Sequence, residues 1–115
     1  MANTFKNYVS KSVGTAAASV VTAPAGTAVT VIGMTVCNTS TATVKASIAL
    51  TKSATEYYVL GSAAPATNGT SIAPGDSLIV FGGDQKLVLE AANVLKVISS
   101  AASSLDVVVS VLETT

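Results

Sequence analysis

Two Gly-Asp pairs flank an apolar run in "IAPGDSLIVFGGDQKLVLEA", residues 72 to 91. Glycine loops beside carboxylates can cradle phosphate or hold a cation, and two carboxylates at the right distance can share acid–base work. The spacing argues against each. A phosphate loop needs its glycines to open a helix, with Lys and Ser or Thr next in the chain, and the residues after Gly82 and Gly83 are strand-like. Asp76 and Asp84 bracket an extended segment, which sets their backbones roughly 26 Å apart, whereas a catalytic pair stands about 5 to 10 Å apart. "APGD" instead places Pro74 and Gly75 at the centre of a type II turn. "FGGDQK" reads as the tight connection of a hairpin between residues 77–81 and 85–90, which would bring Asp76 near Glu90. Calcium on a turn carboxylate, Asp76 or Asp84, is the one metal reading that the composition leaves open.

The rest of the composition narrows the chemistry. The 115 residues contain no His, so there is no imidazole base or ligand. All six basic residues are Lys, so there is no bidentate guanidinium clamp. Cys37 is alone, without a partner for a disulfide or a base to activate it, and reads as a small apolar side chain in or near a strand. No catalytic residue, cofactor site or zinc or iron site is expected. With no Trp, few aromatics and zero net charge, the chain offers neither stacking platforms nor a field for a polyanion, which speaks against nucleic acid as a partner. No stretch approaches 18 consecutive apolar residues, so no membrane helix is expected. "SVGTAAASVVTAPA" after Lys6 and Lys11 ends in a cleavage-like small-residue pattern, but Gly14, Thr15 and Ser19 interrupt it and it reads equally well as a strand. The sequons at Asn38 and Asn68 carry meaning only in a secreted chain.

Strands must position whatever site there is. β-branched residues dominate the apolar runs. In residues 43–51, Val44, Ala46, Ile48 and Leu50 share one face, with Thr43, Lys45, Ser47 and Thr51 opposite. "AVTVIGMTVCN" is apolar nearly throughout. Either a bulge at Gly33 puts Val29, Val31, Met34 and Val36 on one side, or the strand is buried on both faces. Further strands are expected at 18–23, 55–61, 77–81, 85–90, 93–99 and 104–113, with a turn at Ala91-Ala92-Asn93. Short, regularly spaced turn sequences separate them. The chain is therefore expected to be an all-β antiparallel sandwich, jelly-roll or immunoglobulin-like, with at least seven strands. Residues 13–115 would form that domain and residues 1–12 a polar N-terminal arm. One of the adjacent Tyr57 and Tyr58 is expected in the core and the other at a surface.

Charged residues make up only 10% of the chain and apolar residues 50%. A free monomer with so few charges is poorly protected against association, so neighbours are expected to cover much of its surface. Phe5 and Tyr8, together with Tyr57 and Tyr58, are the candidate assembly contacts.

The opening "MANTFKNYVSKSVGTAAASVVTAPAGTAVTVIGMTVCNTS" and the run "IAPGDSLIVFGGDQKLVLEAANVLKVISSAASSLDVVVSVLE" resemble small virion structural proteins of tailed bacteriophages. The shared order is a Pro-Gly turn, a strand, a "KLVLE"-like strand and a Val-rich strand ending in Leu-Glu. Where that pattern has a Gly-Asp turn after the Leu-Glu, this chain has Ala92-Asn93. The resemblance implies a non-enzymatic β-sandwich located in a virion and assembled in the host cytoplasm. In that setting it would be a capsid decoration (cement) protein contacting itself and the major capsid protein, or a neck, tail or fibre component. A module recognising a host surface or carbohydrate through Tyr57 and Tyr58 is the alternative from a different class.

Overall fold

A computed structural model describes residues 3–81 and 86–115. Among these residues ten strands and one helical turn succeed one another in chain order: β1 (Asn3–Val13), β2 (Ala18–Thr22), β3 (Ala28–Asn38), β4 (Val44–Lys52), β5 (Thr55–Leu60), α1 (Pro65–Asn68), β6 (Thr70–Ile72), β7 (Ser77–Phe81), β8 (Leu87–Leu89), β9 (Val94–Ser99) and β10 (Leu105–Thr114). One sheet, here called sheet A, has the order β1-β10-β3-β7, with β8 also on β3. The other, sheet B, has the order β2-β9-β4-β5, with β6 also on β4. Every pairing is antiparallel. β5 and β6 lie end to end along β4, and β7 and β8 lie end to end along β3. Each sheet thus has one interrupted edge strand. Taken that way there are eight strands, and the chain changes sheet at every connection except the β4–β5 hairpin. This is the jelly-roll arrangement, not the immunoglobulin order.

β3 lies at the centre of sheet A because its alternation is adjusted by a bulge. Gly33 pairs with Ser110 and Val31 with Val111, leaving Ile32 as the extra residue. The inserted residue turns the strand over by one position. Val29, Val31, Met34 and Val36 are therefore all at most 1% exposed on the same inner face. Of the two readings of this segment, the bulge is correct. Opposite them lie Val44, Ala46 and Ile48 of β4 and Leu95 and Val97 of β9, all buried in the same core.

The turns obey their residues. Gly75 has φ +77 and the Asp76 N–H donates to the Ala73 carbonyl, closing the expected type II turn. The Asn93 N–H donates to the Glu90 carbonyl with Ala92 at φ +70, so alanine occupies a position that glycine fills without strain. Asn38, fully buried at the end of β3, joins three loops. Its side-chain N–H groups donate to the carbonyls of Ala42 and Ile72, and its side-chain oxygen accepts from the Ser40 N–H and hydroxyl.

Two expectations need correction, and two features come in addition to those expected. Residues 3–13 do not form a free arm, because they pair along β10 from Asn3 to Val13 as the edge strand of sheet A. The polar composition that suggested an arm belongs to an edge strand whose faces are mostly solvated. No hairpin joins residues 77–81 to 85–90, because both segments pair with β3 in one direction. Gly82, Gly83 and Asp84 of that connection lie outside the described residues. The short strand β6 is an addition to the expected set, since its Gly- and Pro-rich surroundings carry no strand signal. The outer face of β4 is not solvated: Ser47 and Ala49 have no exposure, and residues 61–69 pass over Lys45 and Ser47. The Ser62 N–H donates to Ser47 Oγ over 3.1 Å. Gly61, at φ +76, passes so close that a Cβ would collide with the Ser47 side chain.

Urea unfolding will check this packing. Ile48→Ala should cost about 2 to 5 kcal/mol through the cavity it leaves. Ser47→Ala should cost about 1 kcal/mol, since it strands the Ser62 N–H. Equal costs at the two positions would contradict the assignment of β4 faces.

Candidate assembly interface

The outer face of sheet A is where the structure departs from an ordinary solvated β surface. Alternation sends Asp106, Val108, Ser110 and Leu112 of β10 outward, opposite the buried Val107, Val109 and Val111. Register then aligns apolar side chains of β1, β10 and the β7–β8 edge with a threonine of β3 between them. Val9 pairs with Val108, Val108 with Thr35, and Thr35 with Ile79. A second row runs from Phe5 to Leu112, Thr30 and Val88. The largest exposures are 76% for Phe5, 71% for Ile79 and 67% for Val9, with Val108 at 50%. Cross-strand neighbours on one face sit about 5 Å apart, so each row is a continuous ridge.

Between the ridges lies a row of small or polar residues: Asn7, Ser110 and Gly33. Ile32 of the bulge stands half-buried beside it. A depression of about 280 Å³ opens there, lined by Phe5, Lys6, Asn7, Ile32, Ser110 and Val111.

Most charges of the described residues are neutralised locally. Lys11 meets Asp106 over 3.3 Å, Lys52 meets Glu90 over 2.6 Å and Lys96 meets Glu56 over 3.5 Å. The Ser12 N–H, more than Lys11, holds Asp106 below the usual carboxylate range. Glu113 is an inward-facing acid under the β1 edge, with a side chain only 8% exposed and Lys6 Nζ 3.4 Å away. The Tyr8 hydroxyl donates to its other oxygen. That hydrogen bond holds Glu113 low and raises Tyr8, while burial acts against the ionised acid. With both oxygens engaged, the carboxylate is a structural tie.

The sequence candidates are dispersed. Phe5 sits on the outer ridge. Tyr8 packs against the core of its own domain. Neither Tyr57 nor Tyr58 enters the core, contrary to expectation: Tyr57 is 56% exposed, and Tyr58 is half-buried with its hydroxyl on Glu56. They lie at the β5 edge of sheet B, where an irregularity in the β4–β5 pairing accompanies them. Cys37 is half-buried on β3. Among the described residues no group of three or more His, Cys, Asp or Glu could hold a metal ion. Among them, too, no helix is long and apolar enough to cross a membrane. Sequence reading missed Val9, Ile79, Val88 and Val108. The signal was present in "DVVVSVLE", where apolar residues occupy both faces of a strand that should alternate.

No protein-family model and no curated protein sequence matches the chain. Among solved structures, it is similar to a protein of Bacillus endospore appendages described as forming disulfide-linked pili. The identity is 12%, the match covers 98% of this chain and 88% of that one, and the TM-score is 0.50. A cyanophage Pam1 capsid chain shows 19% identity over 96% of this chain and 84% of its own, with a TM-score of 0.39. A pentameric capsid protein from metagenomic phage sequences shows 14% over 96% and 61%, with a TM-score of 0.36. At 12% identity the likeness to the appendage protein is one of fold alone, and the jelly-roll order is that of this chain's own strands.

Because Glu113 is held low in the folded chain, its contribution to stability is present above the ordinary glutamate range and is lost as pH falls through the lowered folded value. The gap in melting temperature between the wild type and Glu113→Gln should therefore be widest near pH 7 and narrow below about pH 4. A gap that stays constant down to pH 3 would show that the carboxylate is not held ionised by Tyr8 and Lys6.

Proposed function

We propose that this chain is a non-enzymatic structural protein of a phage virion, a capsid decoration (cement) protein that works by covering joints of the shell as an oligomer. Its partners are other copies of itself and the major capsid protein. The observation that carries the reading is the ridged apolar face of sheet A, on a domain whose charges are few and mostly paired within the chain. Contiguous apolar area of this kind marks a protein interface on a soluble domain. Burial of such a face holds subunits together without chemistry. The jelly roll suits this work, and the Bacillus appendage protein with a similar fold forms pili. The similarity of the sequence to small virion proteins points the same way.

The carbohydrate-binding alternative needs a stacking platform of tyrosines. Tyr57 and Tyr58 are consecutive on one strand, point to opposite faces and so cannot line one site.

The test uses the full-length protein, because removing residues 2–11 would strip β1 from β10 and leave Glu113 without Lys6 and Tyr8. Shells of the cognate phage lacking this protein should bind it in a co-sedimentation assay and then resist heating better than bare shells. Full-length protein that stays in the supernatant and leaves the melting of the shells unchanged would contradict the proposal.

A further inference from the structure

We infer that the outer face of sheet A is a self-complementary interface, occupied by the same face of a second copy of this chain. The inference rests on the structural-protein reading above and specifies its surface and partner. Three observations favour a second copy over a different protein.

The first is relief. The Val9–Ile79 ridge and the Phe5–Val88 ridge are four residues apart along β1, which is about 13 Å. The furrow of Asn7, Ser110 and Gly33 lies midway between them. A two-fold axis parallel to the rows, placed midway between a ridge and the furrow, sets the Val108 ridge of each copy into the furrow of the other. The contact is isologous, with ridge against furrow and furrow against ridge, so one surface supplies both halves. The depression of about 280 Å³ in the furrow gives the incoming Val9 and Val108 side chains room.

The second is area. Four strands at about 4.8 Å and roughly ten residues at about 3.3 Å give a footprint near 600 Å². A stable complex buries about 800 Å² per partner, and the side chains standing on the sheet bring the accessible area of this face close to that value.

The third is charge. The Lys11–Asp106 ion pair stands at one end of this face and is closed within the chain. The remaining outward residues of both ridges are Val, Ile, Leu, Phe or Thr. Such ridges offer nothing to a basic or acidic partner and oppose no like charge to the same ridges of a second copy.

Sedimentation velocity of the full chain tests this. The wild type should run as a dimer, or as an even-numbered oligomer that face substitutions halve. Val108→Lys and Ile79→Lys each place an unpaired ammonium against apolar surface and should weaken association by ~100-fold or more. Circular dichroism of both variants should stay that of the wild type, and Ile79, on an exposed edge, provides the second variant if Val108→Lys does not fold. Tyr57→Lys, on sheet B, should change nothing. A monomeric wild type would overturn the inference, as would a dimer indifferent to both face variants or one lost through Tyr57→Lys instead. A monomer that still binds capsid shells would overturn this interface and leave the virion role standing. A dimer lost in the face variants, from a protein that ignores shells, would support the interface and overturn the virion role.

Discussion

The extra residue in β3 decides how the whole molecule is arranged. β3 pairs with β10 on one side and with β7 and β8 on the other. If its alternation ran unbroken, Val29 and Val31 would face one way and Met34 and Val36 the other, and half of the strand would present the wrong face to sheet B. The bulge at Ile32 puts all four inside. A one-residue shift moves an entire set of side chains across a sheet, so this single insertion fixes both the core and the outer row. The same step that buries Met34 leaves Thr30 and Thr35 between apolar neighbours on the outside, and so the two ridges and the furrow between them come from it.

The loops serve the same geometry. Asn38 closes β3 by binding the carbonyls of Ala42 and Ile72, which ties the crossing to sheet B to the end of β6. Its backbone exchanges hydrogen bonds with Gly75 and Asp76, so the Pro74-Gly75 turn is held against the same residue. On sheet B, residues 61–69 cover the outer face of β4. On sheet A no described segment crosses the equivalent face. The two faces of one sandwich are treated differently: one is closed within the chain, and the other is left apolar and open.

The residues that could be read in advance are those whose signal is local. The alternation in residues 43–51, the Pro74-Gly75 turn and the Ala91-Ala92-Asn93 turn each depend on a few adjacent side chains, and each appears where expected. The bulge was readable as one of two outcomes because Gly33 marks it. What could not be read depends on distant partners. Residues 3–13 carry a polar pattern without a strong strand signal, and they become a strand because β10 offers them a free edge. The connection after Phe81 has hairpin chemistry, yet β3 is long enough to pair with both β7 and β8 and draws the chain onward instead. Ser47 looks solvent-facing until residues 61–69 fold over it. "DVVVSVLE" hinted at an apolar outer side, but the ridge itself could not be read: Val9, Val108 and Ile79 come from three strands far apart in sequence, and only the register brings them into one row.

The assembly role proposed for this chain requires the apolar face of sheet A to be covered when the protein is at work. A cryo-electron microscopy map of the native assembly that contains this chain, resolved to side chains, tests that directly. Val9, Val108 and Ile79 should be packed against a neighbouring subunit with no solvent layer between. A map in which that face is open to solvent while the contacts fall on other surfaces would contradict the assembly role assigned to sheet A.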